Sequence, residues 1–179
     1  KMLLSALDTI KDNPSELGRA RAEIGKAMEH VDGMIADIMD FSREVKLDVR
    51  PESLPGILDF SVRQAARTHC GAKIHFTYLL NHRTKPLVDE QRISRVFINI
   101  IDNAIEAISI IGKRGTGIVT IVSSDYSDKG GRFVEICISN DGPPIPADAL
   151  PRIFDFFFTN GKSKGTGLGL SSVTKIINL

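Results

Sequence analysis

The sequence predicts an α+β protein: a helical hairpin, half of a dimeric four-helix bundle, followed by an α/β sandwich with one mixed sheet and helices on one face. Three observations predict it. From residue 16 to 46, apolar side chains recur every three or four positions, which is one helix face sustained over about four heptads. Residues 74–80, 118–124 and 132–139 alternate as strands do. Helical stretches precede, separate and follow these strands, an order that one mixed sheet covered on a single side accommodates.

Each element has its local reason. Residues 1–12 read as the end of a helix with Leu3, Leu7 and Ile10 on one face, broken by Asn13-Pro14-Ser15 because proline lacks an amide proton. The next helix carries Leu17, Ala20, Ile24, Ala27 or Met28, Val31, Ile35, Ile38, Ser42 and Val45 along its stripe. One hairpin has too little partner surface for so long a stripe, so two chains are expected to pair as a homodimer through residues 1–47. Residues 47–54 read as an extended linker or short strand, with Pro51 and Pro55 excluding a continuous helix. A helix over 55–69 offers Ile57, Leu58, Val62, Ala65 and Ala66 for burial, and Leu87-Val88 is a short strand leading into Asp89. Residues 112–117 and 125–131 are polar or glycine-rich turns, and a last helix covers 168–178. The domain boundary falls at 47/48, and both ends of the chain read as cut.

Composition narrows the function classes. The chain has 179 residues, 42% hydrophobic and 25% charged, with net charge +1, so no broad nucleic-acid surface is expected. Cys70 and Cys137 are irregularly placed with no signal peptide before them, which points to reduced thiols in the cytoplasm. No run approaches the roughly 18 apolar residues of a membrane span, so any membrane attachment would lie in segments outside this chain. His69, Cys70, His75 and His82 fit no compact zinc spacing, and His30 reads as a surface residue.

Four stretches carry the chemistry. In the helix Arg95-Val96-Phe97-Ile98-Asn99-Ile100-Ile101-Asp102-Asn103-Ala104, the two asparagines stand four apart on one face. A buried amide must find partners or cost about 1 to 3 kcal/mol, so this pair holds water, a backbone segment or a hydrated cation, or bonds a neighbouring helix. Next come Asn140-Asp141-Gly142-Pro143-Pro144-Ile145-Pro146, a good turn by itself, and Ile153-Phe154-Asp155-Phe156-Phe157-Phe158-Thr159, of whose four phenylalanines at least two are expected to fill core. In Gly165-Thr166-Gly167-Leu168-Gly169-Leu170-Ser171 the glycines admit close backbone approach, and the helix that starts there offers free amides to an anion. A P-loop is excluded because Gly112-Lys113 and Gly161-Lys162 each lack a glycine five positions earlier.

In this order the four stretches resemble the N, G1, F and G2 boxes of the histidine-kinase ATP-binding domain, a branch of the superfamily shared with gyrase, heat-shock-90 and mismatch-repair ATPases. The resemblance covers about residues 50–179, and the hairpin resembles the dimerisation and phosphotransfer region of sensor kinases, with Met39-Asp40-Phe41-Ser42-Arg43 near the end of its second helix. It implies ATP and Mg2+ as cofactors, a response-regulator receiver domain as partner, and a phospho-accepting histidine upstream of residue 1, so no catalytic residue within the chain itself. Asn103 would contact magnesium. Asn99 stands where related ATPases carry a glutamate that activates water, and an amide is a poor base, which suits transfer of phosphate over hydrolysis.

The adenine contact falls to Asn140 by position or to Asp141 if the backbone turns differently, and Pro144 replaces the usual second glycine. Gly142, Phe154, Thr159, Lys162, Lys164, Gly165, Thr166, Gly167, Leu168, Gly169 and Leu170 complete the expected nucleotide site. The alternatives are a protein serine kinase of the same superfamily and a dimerising regulator that binds nucleotide weakly or not at all.

Overall fold

The structure, a computed structural model, describes residues 15, 17–22, 24–25, 28, 31, 35, 46–69, 73–110, 116–159 and 167–179. The chain divides into two compact units, Lys1–Arg43 and Glu44–Leu179. In the first, the described residues between 15 and 35 are helical, and Leu17, Ile24, Met28, Val31 and Ile35 are exposed. Their spacing of seven, four, three and four puts them on one stripe, so an apolar seam faces solvent in the single chain. No helix among the described residues is long and apolar enough to cross a membrane.

The second unit is built on a three-stranded sheet of order β2–β4–β5, with β2 at Ile74–Leu80, β4 at Gly117–Asp128 and β5 at Gly131–Asn140. β2 and β4 run parallel, with Tyr78 opposite Ile121, and β4 and β5 run antiparallel, with Ile121 opposite Ile138. A parallel pair requires a crossover, and the chain supplies helix α2, Glu90–Ile110, between the two strands. Gly117, Val119, Ile121 and Ser123 are buried along β4 while the intervening residues are more exposed, the two-residue alternation of a sheet covered on one face. That covered face meets α2 and helix α1, Leu54–Thr68, in a core of Leu54, Ile57, Leu58, Val62, Ala65, Phe97, Ile101, Ala104, Ile105, Val119 and Ile121. The last helix, α3 at Gly169–Ile177, packs on α2.

Polar contacts hold this layer in register. Pro55 lies in the first turn of α1, where a missing amide proton costs nothing. Buried Ser61 donates to the carbonyl of Ile57 at 2.8 Å and to that of Ser94 at 3.3 Å, joining α1 to α2 without leaving an unpaired hydroxyl. Asp89 caps α2 by accepting the Arg92 amide at 3.1 Å, and its other oxygen accepts the Asp48 amide at 3.0 Å, so one carboxylate ties the linker to the helix start.

A separate ladder joins β1, Arg50–Pro51, to β3, Leu87–Val88, so of the two readings of residues 47–54 the short strand holds at Arg50–Pro51. Two sequence expectations need correction. The hairpin strands run on to Asp128 and from Gly131, leaving only Lys129-Gly130 as the turn where residues 125–131 were expected. The polarity of that stretch reflects exposure of both sheet faces there, and Tyr126 opposite Phe133, ring centres 6.4 Å apart, keeps the pairing. Finally, none of the four phenylalanines is buried. Phe154, Phe156 and Phe157 are at least half exposed, and the 3-10 turn beside them among the described residues, Leu150–Arg152, buries no residue of its own.

Candidate functional site

Helix α2 is the spine of the site. Asn99 and Asn103 are half-buried on its face toward α3, and each amide is fixed by its nitrogen. Asn99 Nδ2 donates to the Gly169 carbonyl at 3.2 Å, and Asn103 Nδ2 donates back to the Asn99 carbonyl at 2.8 Å. Asn99 therefore holds a backbone segment of the neighbouring helix, one of the options its sequence position left open. Gly169 is the first residue of α3, whose N-terminus has no side-chain cap. Its leading amides are thus of the kind that bind an anion.

Gly167, just before that helix, has φ +69°, and a Cβ there would sit 2.4 Å from the carbonyl carbon of Phe157. Its carbonyl accepts the Phe157 amide at 3.1 Å, and Phe157 is itself left-handed at φ 60°. Gly167 and Phe157 thereby bring the two ends of residues 158–166 together. Thr159 and Phe154 are exposed on the near side of that clasp, and Leu168 is buried and Leu170 half-buried on the far side. Lys162, Lys164, Gly165 and Thr166 lie outside the described residues.

At the other end of α2 the turn after β5 touches the helix backbone. A Cβ on Gly142 would come within 2.8 Å of the Ala107 carbonyl carbon and the Ile108 amide nitrogen, so only glycine allows this approach. Asn140 and Asp141 part company here. Asn140 continues the helix-facing row of Val134, Ile136 and Ile138, pairs with core residue Val119, and its Oδ1 accepts the Gly142 amide at 2.9 Å. Asp141, one residue beyond β5, accepts the Ile118 amide at its Oδ1 at 2.8 Å, and its own amide donates to the Ile118 carbonyl at 3.2 Å. One of its carboxylate oxygens thus helps close the start of β4.

The features thus line up along one helix: Gly169 beside Asn99, then Asn103, then Ala107 against Gly142 and Asn140. From Asn99 to Ala107 the axis rises about 12 Å, the scale of a nucleoside with its phosphates. Magnesium bound to phosphates needs only one or two protein oxygens, the rest coming from phosphate and water. An amide oxygen at Asn103 fits that requirement without adding negative charge. Among the described residues no group of three or more histidine, cysteine or acidic side chains could hold a metal by itself.

The neighbouring Asp102 faces the other way, toward α1. Its Oδ1 lies 3.3 Å from both Thr68 Oγ1 and His69 Nε2. Burial pushes its carboxyl above the usual range, while His69 and Thr68 pull it back and the Glu106 charge adds to the rise. His82 is committed elsewhere, its Nδ1 2.5 Å from Ser123 Oγ. His75 is exposed on β2, so the described histidines do not converge.

Sequence reasoning missed the Asn99–Gly169 bond, the role of Asp141 and the left-handed Phe157. The first two join residues far apart in the chain, and nothing local marks a phenylalanine as left-handed. Gly142 against α2 had a legible signal, a glycine between polar turn residues and two prolines.

Comparison with known proteins gives consistent results. Residues 88–179 match the family described as histidine kinase-, DNA gyrase B-, and HSP90-like ATPase. The chain is 31% identical over 148 residues to the sensory histidine kinase/phosphatase NtrB of Rhizobium meliloti (strain 1021), covering 76% of this chain and 37% of that protein. It is 30% identical over 154 residues to the signal transduction histidine-protein kinase AtoS of Escherichia coli (strain K12), covering 86% of this chain and 24% of that one. The chain therefore spans well under half of these relatives. Among solved structures, the catalytic domain of histidine kinase ThkA superposes with TM-score 0.60 at 32% identity, over 74% of this chain and 81% of that one. ThkA in complex with response regulator protein TrrA superposes with TM-score 0.69 at 25% identity, over 88% of this chain and 46% of that one.

Proposed function

This chain belongs to the histidine kinase-, DNA gyrase B- and HSP90-like ATPase family, as a histidine-kinase ATPase domain, and from that premise we propose that it is the catalytic portion of a two-component sensor histidine kinase. Residues 48–179 bind Mg-ATP and residues 1–47 dimerise. The observation that carries this reading is the alignment along α2 of an uncapped helix start at Gly169, two inward-fixed amides at Asn99 and Asn103, and the Gly142 turn.

In this reading the α3 amides and Gly167 take the phosphates, and Lys162 and Lys164 add positive charge to that end. Asn103 directs its oxygen to the magnesium ion, which offsets phosphate charge when bound. Asn140 lies at the base, with Gly142 allowing the turn to approach. Asn99 anchors α3 and offers no carboxylate to activate water, so the γ-phosphate is preserved for transfer. The acceptor is a histidine N-terminal to residue 1. Its imidazole nitrogen forms a bond to the γ-phosphorus as the bond from phosphorus to the bridging oxygen breaks, and ADP leaves with that electron pair. The phosphoryl group then passes to an aspartate on a response-regulator receiver domain, in line with ThkA, whose solved structure is a complex with such a protein. The exposed seam of Leu17, Ile24, Met28, Val31 and Ile35 supports pairing of two chains through the hairpin.

The test is a chain extended upstream, given ATP labelled at the γ position. We expect phosphate that is acid-labile and alkali-stable, lost in Asn103→Ala, and no label on residues 1–179 alone. Acid-stable label would indicate a serine kinase. ATP binding with no label on the extended chain would favour a nucleotide-dependent regulator.

A further inference from the structure

On the nucleotide-site reading above, we infer that Asn99 is a positioning residue for the phosphate end: its side-chain NH2 fixes where along α2 the start of α3 sits, and the position requires a hydrogen-bond donor. Asn99 Nδ2 donates to the Gly169 carbonyl at 3.2 Å, and Gly169 is the residue at which α3 begins. The two residues are in close contact, since a Cβ on Gly169 would lie 3.9 Å from Asn99 Cγ.

The apolar contacts of α3 do not set this register. Leu168 and Val173 are buried, and α3 packs on α2. Hydrophobic burial is non-directional, so it holds the two helices together while leaving α3 able to shift along the axis. The hydroxyls of Ser171 and Thr174 donate to the Leu168 and Leu170 carbonyls at 3.0 and 3.3 Å, so their protons stay within α3 and do not tie it to α2. The bond from Asn99 supplies the missing direction.

Residue 99 also meets the metal end. Its main-chain carbonyl accepts Asn103 Nδ2 at 2.8 Å, which leaves the Asn103 oxygen for magnesium. One residue is thus bonded to the amide that would face the ion and to the helix start that would face the phosphates. An ionised carboxylate at 99 has no proton to give and would meet the Gly169 carbonyl acceptor to acceptor. Asparagine is required here for the proton it donates, independently of the base it lacks.

Asn99→Leu and Asn99→Asp test this, because one is apolar and neutral, the other keeps the shape and adds a charge, and both lose the donor. Hydrogen exchange on the nucleotide-free chains reads α3 directly. Both variants should speed exchange at the Ser172 amide, bonded to the Leu168 carbonyl at 2.9 Å, by about fivefold, the worth of one neutral hydrogen bond, while the Ile101 amide in the core is unchanged. In NMR titrations both should lose about fivefold or more in ADP affinity and less than about twofold in affinity for adenosine, which has no phosphates. Unchanged exchange at Ser172 in either variant overturns the inference, and so does an equal loss for adenosine and ADP. In the unmodified chain, where no variant has to fold, the side-chain amide protons of Asn99 should exchange about tenfold more slowly than those of exposed Asn81, and equal rates overturn it too. Absence of ADP binding to the unmodified chain removes the nucleotide site and the inference with it, whereas the other adverse results leave the site standing.

Discussion

Gly142 has no side chain, and for that reason the turn after β5 can rest on the backbone of α2. The atoms a Cβ would meet at 2.8 Å are main-chain atoms of Ala107 and Ile108, which cannot rotate aside as a long side chain would. Gly142→Ala should therefore displace the turn and carry Asn140 with it. We expect ADP affinity to fall at least tenfold, with a melting temperature only a few degrees lower, because the core of Leu58, Ile101 and Val119 is untouched. Calorimetry and a thermal melt on the same samples separate the two effects. Unchanged affinity would remove the turn from the site. The same residue-level view explains why Asn140 and Asp141 could not be told apart in the sequence. They are adjacent, both suit a turn, and only the backbone brought beside them separates them, Asn140 taking the Gly142 amide and Asp141 the Ile118 amide.

At the scale of elements, α2 joins site and core. Its buried side, with Phe97, Ile101, Ala104 and Ile105, packs on the sheet and α1, while Asn99 and Asn103 carry the candidate site on another side. What holds its start is Asp89. Burial alone would raise this carboxyl, yet hydrogen bonds from the amides of Asp48, Arg92 and Gln91 outweigh it and hold it below the usual range. A lowered folded value contributes stability that is present above the unfolded carboxylate range and is lost as pH falls through the folded value. Asp89→Ala should cost about 1 kcal/mol at neutral pH, in keeping with loss of an N-cap. Urea unfolding at several pH values checks it: the gap between the two proteins should close below about pH 4. A gap that persists in acid would mean that the cap acts through packing and not through charge.

At the scale of the molecule, the chain falls into two compact units. The second has its own core, whereas the described residues of the first leave an apolar seam open to solvent. Burying such a seam against a second copy gives about 25 cal/mol per Å2 of apolar surface removed from water. Replacing Ile24 and Val31 together with glutamate should convert a dimer to a monomer in light scattering, with ADP affinity unchanged because the nucleotide site lies wholly in the other unit. A wild-type chain that is monomeric at tens of micromolar would remove the dimer reading.

What the sequence by itself determined were the features that repeat locally or follow in a fixed order. Helical and strand periodicities predicted α1 and α3 to within a residue, the middle of α2 but not its first and last turns, the strands β2 and β3 at their observed bounds, and the mixed sheet. The order of four short motifs marked the family. Tertiary structure alone decided the β1–β3 ladder, the exposure of the phenylalanines, the tie from Asn99 to Gly169, and the separation of Asn140 from Asp141. The reason is physical. Periodicity and turn chemistry come from neighbours within a few positions, whereas a hydrogen bond across 70 residues or the face to which a polar side chain turns depends on which backbone the rest of the fold brings alongside it.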